Sequence, residues 1–163
     1  MRTVGDRGSE ARTLSNIGAV YNSLGEKQKA LDYYNQALSV LGTMSNRGSE
    51  ATILSNIGAV YSDLGEKQKA LNYYSQALSL RRAAGDRSGE AITLNQIGHV
   101  YSALGERQKA LEYYNQALLL RRAVGDHNGE AKTLNGIQGY FILDSRWGMG
   151  LEYRSRLTLT DYL

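Results

Sequence analysis

The chain contains no cysteine and no proline. Without cysteine it can form neither a disulfide nor a thiolate metal site, and the absence fits a reducing compartment, so a cytoplasmic location is expected. Without proline nothing breaks a helix from within, and the turns fall to the 18 glycines. Alternating strand patterns are also missing, which argues against a β-rich fold. Charge of one sign is scarce: the net charge is +3 and the pI about 9.1. That excess is too small and too dispersed to indicate a nucleic-acid partner. No apolar run approaches the roughly 20 residues that cross a bilayer, and the first ten residues lack the apolar core of a signal peptide, so no membrane partner is expected.

What the chain does have is repetition. The stretch Leu94–Leu118 recurs, lightly edited, at Leu54–Leu78 and Leu14–Leu38, and Tyr21, Tyr61 and Tyr101 lie 40 residues apart. A period of this length is one supersecondary unit that cannot bury its apolar face alone, so neighbours must stack. Within the first unit Leu14, Ile17, Val20, Tyr21 and Leu24 draw a stripe down one helix, termed helix A. Gly25, Gly65 and Gly105 follow it and suit a left-handed helix stop. A second stripe, Ala30, Leu31, Tyr34, Ala37, Leu38 and Leu41, predicts helix B, starting near Glu26, whose charge suits the N-terminal dipole. In the second and third units helix B runs on through Arg81-Arg82 and Arg121-Arg122, cations suited to a helix C-terminus, before Gly85 and Gly125 stop it. Asp86, Asp126, Asp6 and Asn46 then stand as N-caps for the next helix A.

The expected divisions are residues 1–8 as the remnant of a preceding helix B, units at 9–48, 49–88 and 89–128, and a degenerate fourth unit or capping segment at 129–163. Met1–Asp6 aligns with Arg81–Asp86, which suggests a longer parental array. In the fourth unit Gln138 replaces Gly98 and Asp144 replaces Leu104, and Trp147-Gly148-Met149-Gly150 match nothing upstream, although Leu151-Glu152-Tyr153 echoes Leu111-Glu112-Tyr113. This segment reads either as a terminal helix covering the last seam or as altered, poorly ordered sequence.

These positions resemble the tetratricopeptide repeat. Its pattern of a large apolar residue, Leu-Gly, Tyr, Ala, an aromatic and Ala is met by Leu14, Ile17-Gly18, Tyr21, Ala30, Tyr34 and Ala37, and again 40 and 80 residues on. Small Gly18 and Ala30 would let helices A and B approach, with Tyr21 and Tyr34 filling the space between pairs. The 40-residue period and the absence of proline after helix B are similar to the arrays of the Partner-of-Inscuteable family, kinesin light chains and bacterial signalling proteins. The resemblance implies an all-α fold, a right-handed superhelical α-solenoid of antiparallel helix pairs, with a concave groove lined by helices A that binds peptide or protein segments.

Carried over by position, the groove would present Arg12, Ser15, Asn16 and Asn22 from the first unit. The second would add Ser55, Asn56, Ser62 and Asp63, the third Asn95, Gln96 and His99, and the fourth Lys132 and Asn135. Ala19, Thr52 and Ala59 lie on the same face. Asn16, Asn56 and Gln96 form an amide ladder able to pair with a peptide backbone of any sequence, or alternatively to cap local backbone or bond one another across the seam. With only Arg12 and Lys132 basic, a neutral or mixed peptide is expected rather than a strongly acidic one. His99 alone makes no metal site. The tyrosine pairs at 33/34, 73/74 and 113/114 read as packing rather than base stacking, and the Lys27/Lys29 row and its repeats as solvated helix surface rather than a phosphate site.

No phosphate loop, histidine pair or carboxylate–histidine set is present, so no enzymatic activity and no cofactor are expected. Near-identical units argue against RNA recognition through unit-to-unit variation. Two functions remain: an interaction scaffold gripping a peptide or protein, or a structural module forming a homo-oligomer through uncapped solenoid ends.

Overall fold

In the computed structural model, which describes residues 4–42 and 46–144, the chain is an all-α helical repeat. Its helices are α1 (Val4–Ser23), α2 (Lys27–Leu41), α3 (Arg47–Asp63), α4 (Lys67–Ala84), α5 (Arg87–Ala103), α6 (Arg107–Ala123) and α7 (His127–Asp144). The odd-numbered helices are helices A and the even-numbered ones helices B. Packing is tightest within the pairs α1/α2, α3/α4 and α5/α6 and continues from each pair to the next. Successive helices A also touch, α1 with α3, α3 with α5 and α5 with α7, forming three seams along one face.

The turn inside each pair is specified by one residue. Gly25, Gly65 and Gly105 take φ of 80°, 80° and 74°. There the Glu26 N–H donates to the Tyr21 carbonyl at 2.9 Å and the Gly25 N–H to that of Asn22 at 3.1 Å. This paired bond pattern satisfies the last carbonyls of helix A and reverses the chain, and it recurs at Gly65 and Gly105.

Helix pairs close on a small-against-large match. Gly18, Gly58 and Gly98 are buried, and a methyl group added to them would meet the rings of Tyr34, Tyr74 and Tyr114 at 2.9, 2.9 and 2.7 Å. Ala30, Ala70 and Ala110 are fully buried on the facing helices. The three half-buried tyrosines of helix A stack on those of helix B: Tyr21 on Tyr33, Tyr61 on Tyr73 and Tyr101 on Tyr113, at 5.3 to 5.4 Å. One tyrosine of each consecutive pair is therefore core and the other a stacked partner, so the rings sequence reasoning weighed for base stacking already have a face occupied.

Between units the paired arginines do more than answer a helix dipole. Arg81 Nη1 donates to Asp86 Oδ2 at 3.0 Å while Asp86 Oδ1 caps α5 by accepting the Gly89 N–H at 2.8 Å. Arg82 Nε reaches Glu90 Oε1 at 2.6 Å. Arg121 with Asp126 and Gly129, and Arg122 with Glu130, repeat the arrangement. A methyl group at Gly89 or Gly129 would overlap the arginine Nη1 and the aspartate Oδ2. In the first junction all three members change together, to Leu41, Asn46 and Ser49, and Asn46 caps α3 through Ser49 N–H at 3.2 Å. Gly89→Ala is therefore expected to destabilise the chain by about 1–2 kcal/mol, since it forces the mostly buried Arg81 guanidinium off the partly exposed Asp86 that caps α5. Gly8→Ala, in α1 with nothing within 4 Å, is expected to stabilise it by up to about 1 kcal/mol. Denaturant midpoints of the two variants check the opposite signs.

Three expectations change. Val20 belongs to the apolar stripe yet is 57% exposed, whereas Val60 and Val100 are buried, because α2 and α4 cover α3 and α5 and no described helix covers α1. Leu24, Leu64 and Leu104 are exposed as well, since they sit where helix A turns away from its partner. Finally, α1 begins at Val4 and runs through Gly5 and Asp6 without the break found at Gly85 and Gly125. Met1 stands in the sequence where the later junctions have Arg81 and Arg121. The fourth unit begins with the helix α7; the expectations for residues 147–153 lie outside the described residues.

Candidate interaction groove

The seam between α1 and α3 opens into a cleft of about 720 Å³. It gathers four of the residues singled out from the sequence, Arg12, Ser15, Asn16 and Asn56, together with Ala19 and Thr52 on the same face. Gly8, Ser9, Ala11, Asn46, Gly48, Ser49 and Ile53 complete it. Ala11 and Ile53 are buried and give the cleft an apolar floor, while the rest of the wall is small and polar. Among the described residues that line it, Arg12 is the one charged side chain. The contribution of Asn46, Gly48 and Ser49 was not read from the sequence, because it comes from the first turn of α3 and its cap rather than from a helical stripe. The matching runs Gly8-Ser9 and Gly48-Ser49 were its only trace.

On α3 and α5 three side-chain atoms are buried without a hydrogen-bond partner: Ser55 Oγ, Asn95 Oδ1 and Gln96 Oε1. All three residues were expected to line the groove. Such atoms cost about 1–3 kcal/mol each when nothing bonds them. The amides thus neither cap local backbone nor bond one another through these atoms.

At the seam between α5 and α7 the ring of His99 stands edge-on to that of Tyr114 at 5.3 Å, and Nδ1 lies 3.0 Å from the Tyr114 hydroxyl. Partial burial pushes the His99 pKa below its ordinary value. Burial also raises the Tyr74 hydroxyl to about 12, with a smaller push from the Asp63 charge, so that this group stays a neutral donor in ordinary buffers. Lys132 and Asn135 are exposed on α7.

Three further expected contacts sit at the turn end of helices A. Lys27 Nζ donates to Asn22 Oδ1 at 2.7 Å and pairs with Asp63 Oδ2 at 2.5 Å, tying the first unit to the second. Lys67 Nζ donates to the Ser62 carbonyl at 2.7 Å. Lys29, Lys69 and Lys109 pair with Glu26, Glu66 and Glu106 and lie over the Tyr21, Tyr61 and Tyr101 rings at 5.1 to 5.3 Å. The pairing carboxylate, first by hydrogen bond and then by charge, raises the pKa of each of these lysines. Lys27, Lys29, Lys69 and Lys109 of the basic row thus each have a carboxylate partner. Among the described residues no group of three or more His, Cys, Asp and Glu could hold a metal ion, and no helix is long and apolar enough to cross a membrane.

Sequence profiles of the tetratricopeptide repeat match residues 11–41, 51–82 and 89–137, more than half of the chain. The chain belongs to the tetratricopeptide repeat family. No curated protein matches its sequence. Solved structures share its fold at low identity. BtubC (BKLC) from P. vanneervenii superposes with a TM-score of 0.71 at 20% identity, covering 88% of this chain and 58% of that one. RapI in its apo form gives 0.80 at 19%, covering 94% and 43%. The N-terminal domain of stress-induced protein-1 from C. elegans gives 0.63 at 18%, covering 80% and 96%. The chain therefore spans about half the length of the first two. Tetratricopeptide folds generally mediate protein–protein interactions and are typically non-enzymatic.

Proposed function

We propose that the chain is a non-enzymatic scaffold whose helices A hold a peptide or protein segment along the seams. The observation that carries this reading is the α1/α3 cleft, where an apolar floor is edged by Asn16, Asn56, Ser15 and the first turn of α3. Small side chains admit a main chain closely, and the amides offer both a donor and an acceptor to it. A single cation, Arg12, favours neutral or mixed peptides over acidic ones. Selection from a displayed random dodecapeptide library tests the reading. Asn56→Ala is expected to weaken the selected peptide roughly five-fold, the worth of about one hydrogen bond. Exclusive enrichment of polyacidic sequences, or indifference to Asn56→Ala, would count against it.

The exposed Val20 supports a second reading, self-association. Burying one valine of this kind is worth about 1.5–3 kcal/mol. Light scattering that shows a monomer at every concentration ends that alternative and leaves the first intact. In either reading the chain works through protein partners, without a cofactor and in the cytoplasm.

A further inference from the structure

The three seams are not built alike. In the first two, the upstream helix A contributes an alanine, Ala19 or Ala59, and the downstream helix A an amide, Asn56 or Gln96. In the third the contributions are exchanged: His99 comes from upstream, and the downstream position is Gly136. The two exchanged positions are in contact. A methyl group at Gly136 would lie 3.3 Å from the Tyr114 ring and 3.5 Å from His99 Cε1, so the imidazole stands directly against the downstream position and a side chain longer than alanine there would share its space.

The hydroxyl beneath each seam follows the same division. Tyr114 is bonded to His99 Nδ1 at 3.0 Å. Tyr34 and Tyr74 are 2% and 3% exposed, and among the described residues no hydrogen bond is found for their hydroxyls. By the 40-residue equivalence these hydroxyls rise beneath Ala19 and Ala59, beside Asn56 and Gln96. Gln96 Oε1 is itself buried and unpartnered. The second seam thus holds an amide oxygen without a partner, the first holds an amide and a phenol at the equivalent positions, and in the third the phenol is bonded within the chain.

We infer that His99 is a specificity-determining residue that ends the ligand's run: a bound main chain engages the α1/α3 and α3/α5 seams through Tyr34 with Asn56 and Tyr74 with Gln96, and the His99–Tyr114 pair closes the α5/α7 seam to it. This rests on the peptide-binding reading above. A main chain fits these two seams because it alternates donors and acceptors at every residue, which an amide and a phenol can match without regard to sequence.

The test uses the full chain and the strongest dodecapeptide from the displayed library. In the wild type, ¹⁵N shift mapping should show the peptide perturbing residues 55–56 and 95–96 and leaving 135–136 unmoved. The double variant His99→Ala/Gly136→Asn rebuilds the α3/α5 arrangement in the last seam. It should gain perturbation at 135–136 and bind the peptide roughly two- to ten-fold tighter. His99→Ala alone, the smaller change, should open the seam without supplying the amide and gain the perturbation without the affinity. A wild-type footprint that includes 135–136 overturns the inference while the groove reading stands, as does a folded double variant whose footprint is unchanged. If no peptide is selected by either protein, the groove reading fails and this inference falls with it. Circular dichroism melting of each variant confirms the fold before mapping.

Discussion

Tyr74→Ala is expected to cost about 3–5 kcal/mol, the range for deleting a fully buried aromatic side chain. The ring is 3% exposed and lies against Gly58, and Tyr74 belongs to the cluster of Leu71, Leu78, Leu94, Ile97 and Val100 that joins the second unit to the third. Its removal leaves a hole flanked by a glycine, which has no side chain to move into it. In a repeat array stability is close to a sum of units and their interfaces, so the loss falls on one unit and both its junctions. Urea unfolding followed by circular dichroism should show a lower midpoint, and amide exchange should rise first in α3 to α5. A cost below 1 kcal/mol would mean that the ring is not a structural centre.

Gly58→Val should have a comparable effect from the opposite side, about 3 kcal/mol. Its Cβ would stand 2.9 Å from two ring carbons of Tyr74 and 3.2 Å from a third, and both branches would add to the overlap. The ring cannot withdraw, because it is enclosed. Gly58→Ala sets two terms against each other, a gain of up to about 1 kcal/mol in helix propensity and the overlap of one methyl group, and should fall near neutral or somewhat destabilising. In the double variant Gly58→Val/Tyr74→Ala the inserted valine fills part of the space the tyrosine left. The two costs should then fail to add by at least 1 kcal/mol, as contacting sites do. Strict additivity would deny the small-against-large match.

That match is the portion of the fold most legible in the sequence. Gly18, Ala30 and Tyr34 recur at fixed spacing within helices, and helical periodicity reads such spacing directly. The Arg81–Asp86–Gly89 junction was not legible in this way. Its members lie on both sides of a turn, and the requirement for glycine at 89 comes from a guanidinium arriving from the previous helix. Once the contact is known, the joint change to Leu41, Asn46 and Ser49 is its signature. The candidate groove was half legible. Arg12, Ser15, Asn16 and Asn56 were placed by carrying the resemblance to the tetratricopeptide repeat over position by position, but the cleft edge at Gly48 and Ser49 depends on how closely one helix start approaches the neighbouring helix. The tie of Asn22 and Asp63 to Lys27 depends on which long side chain reaches across the seam, and spacing does not encode that.

The central claim is that helices A, rather than helices B, carry the binding surface. It is tested most directly by placing a photo-crosslinking amino acid at Thr52, exposed on the cleft, and separately at Gln76, exposed on helix B of the same unit. With the selected dodecapeptide, irradiation should give an adduct from position 52 and none from position 76. An adduct from 76 with none from 52 would contradict the account.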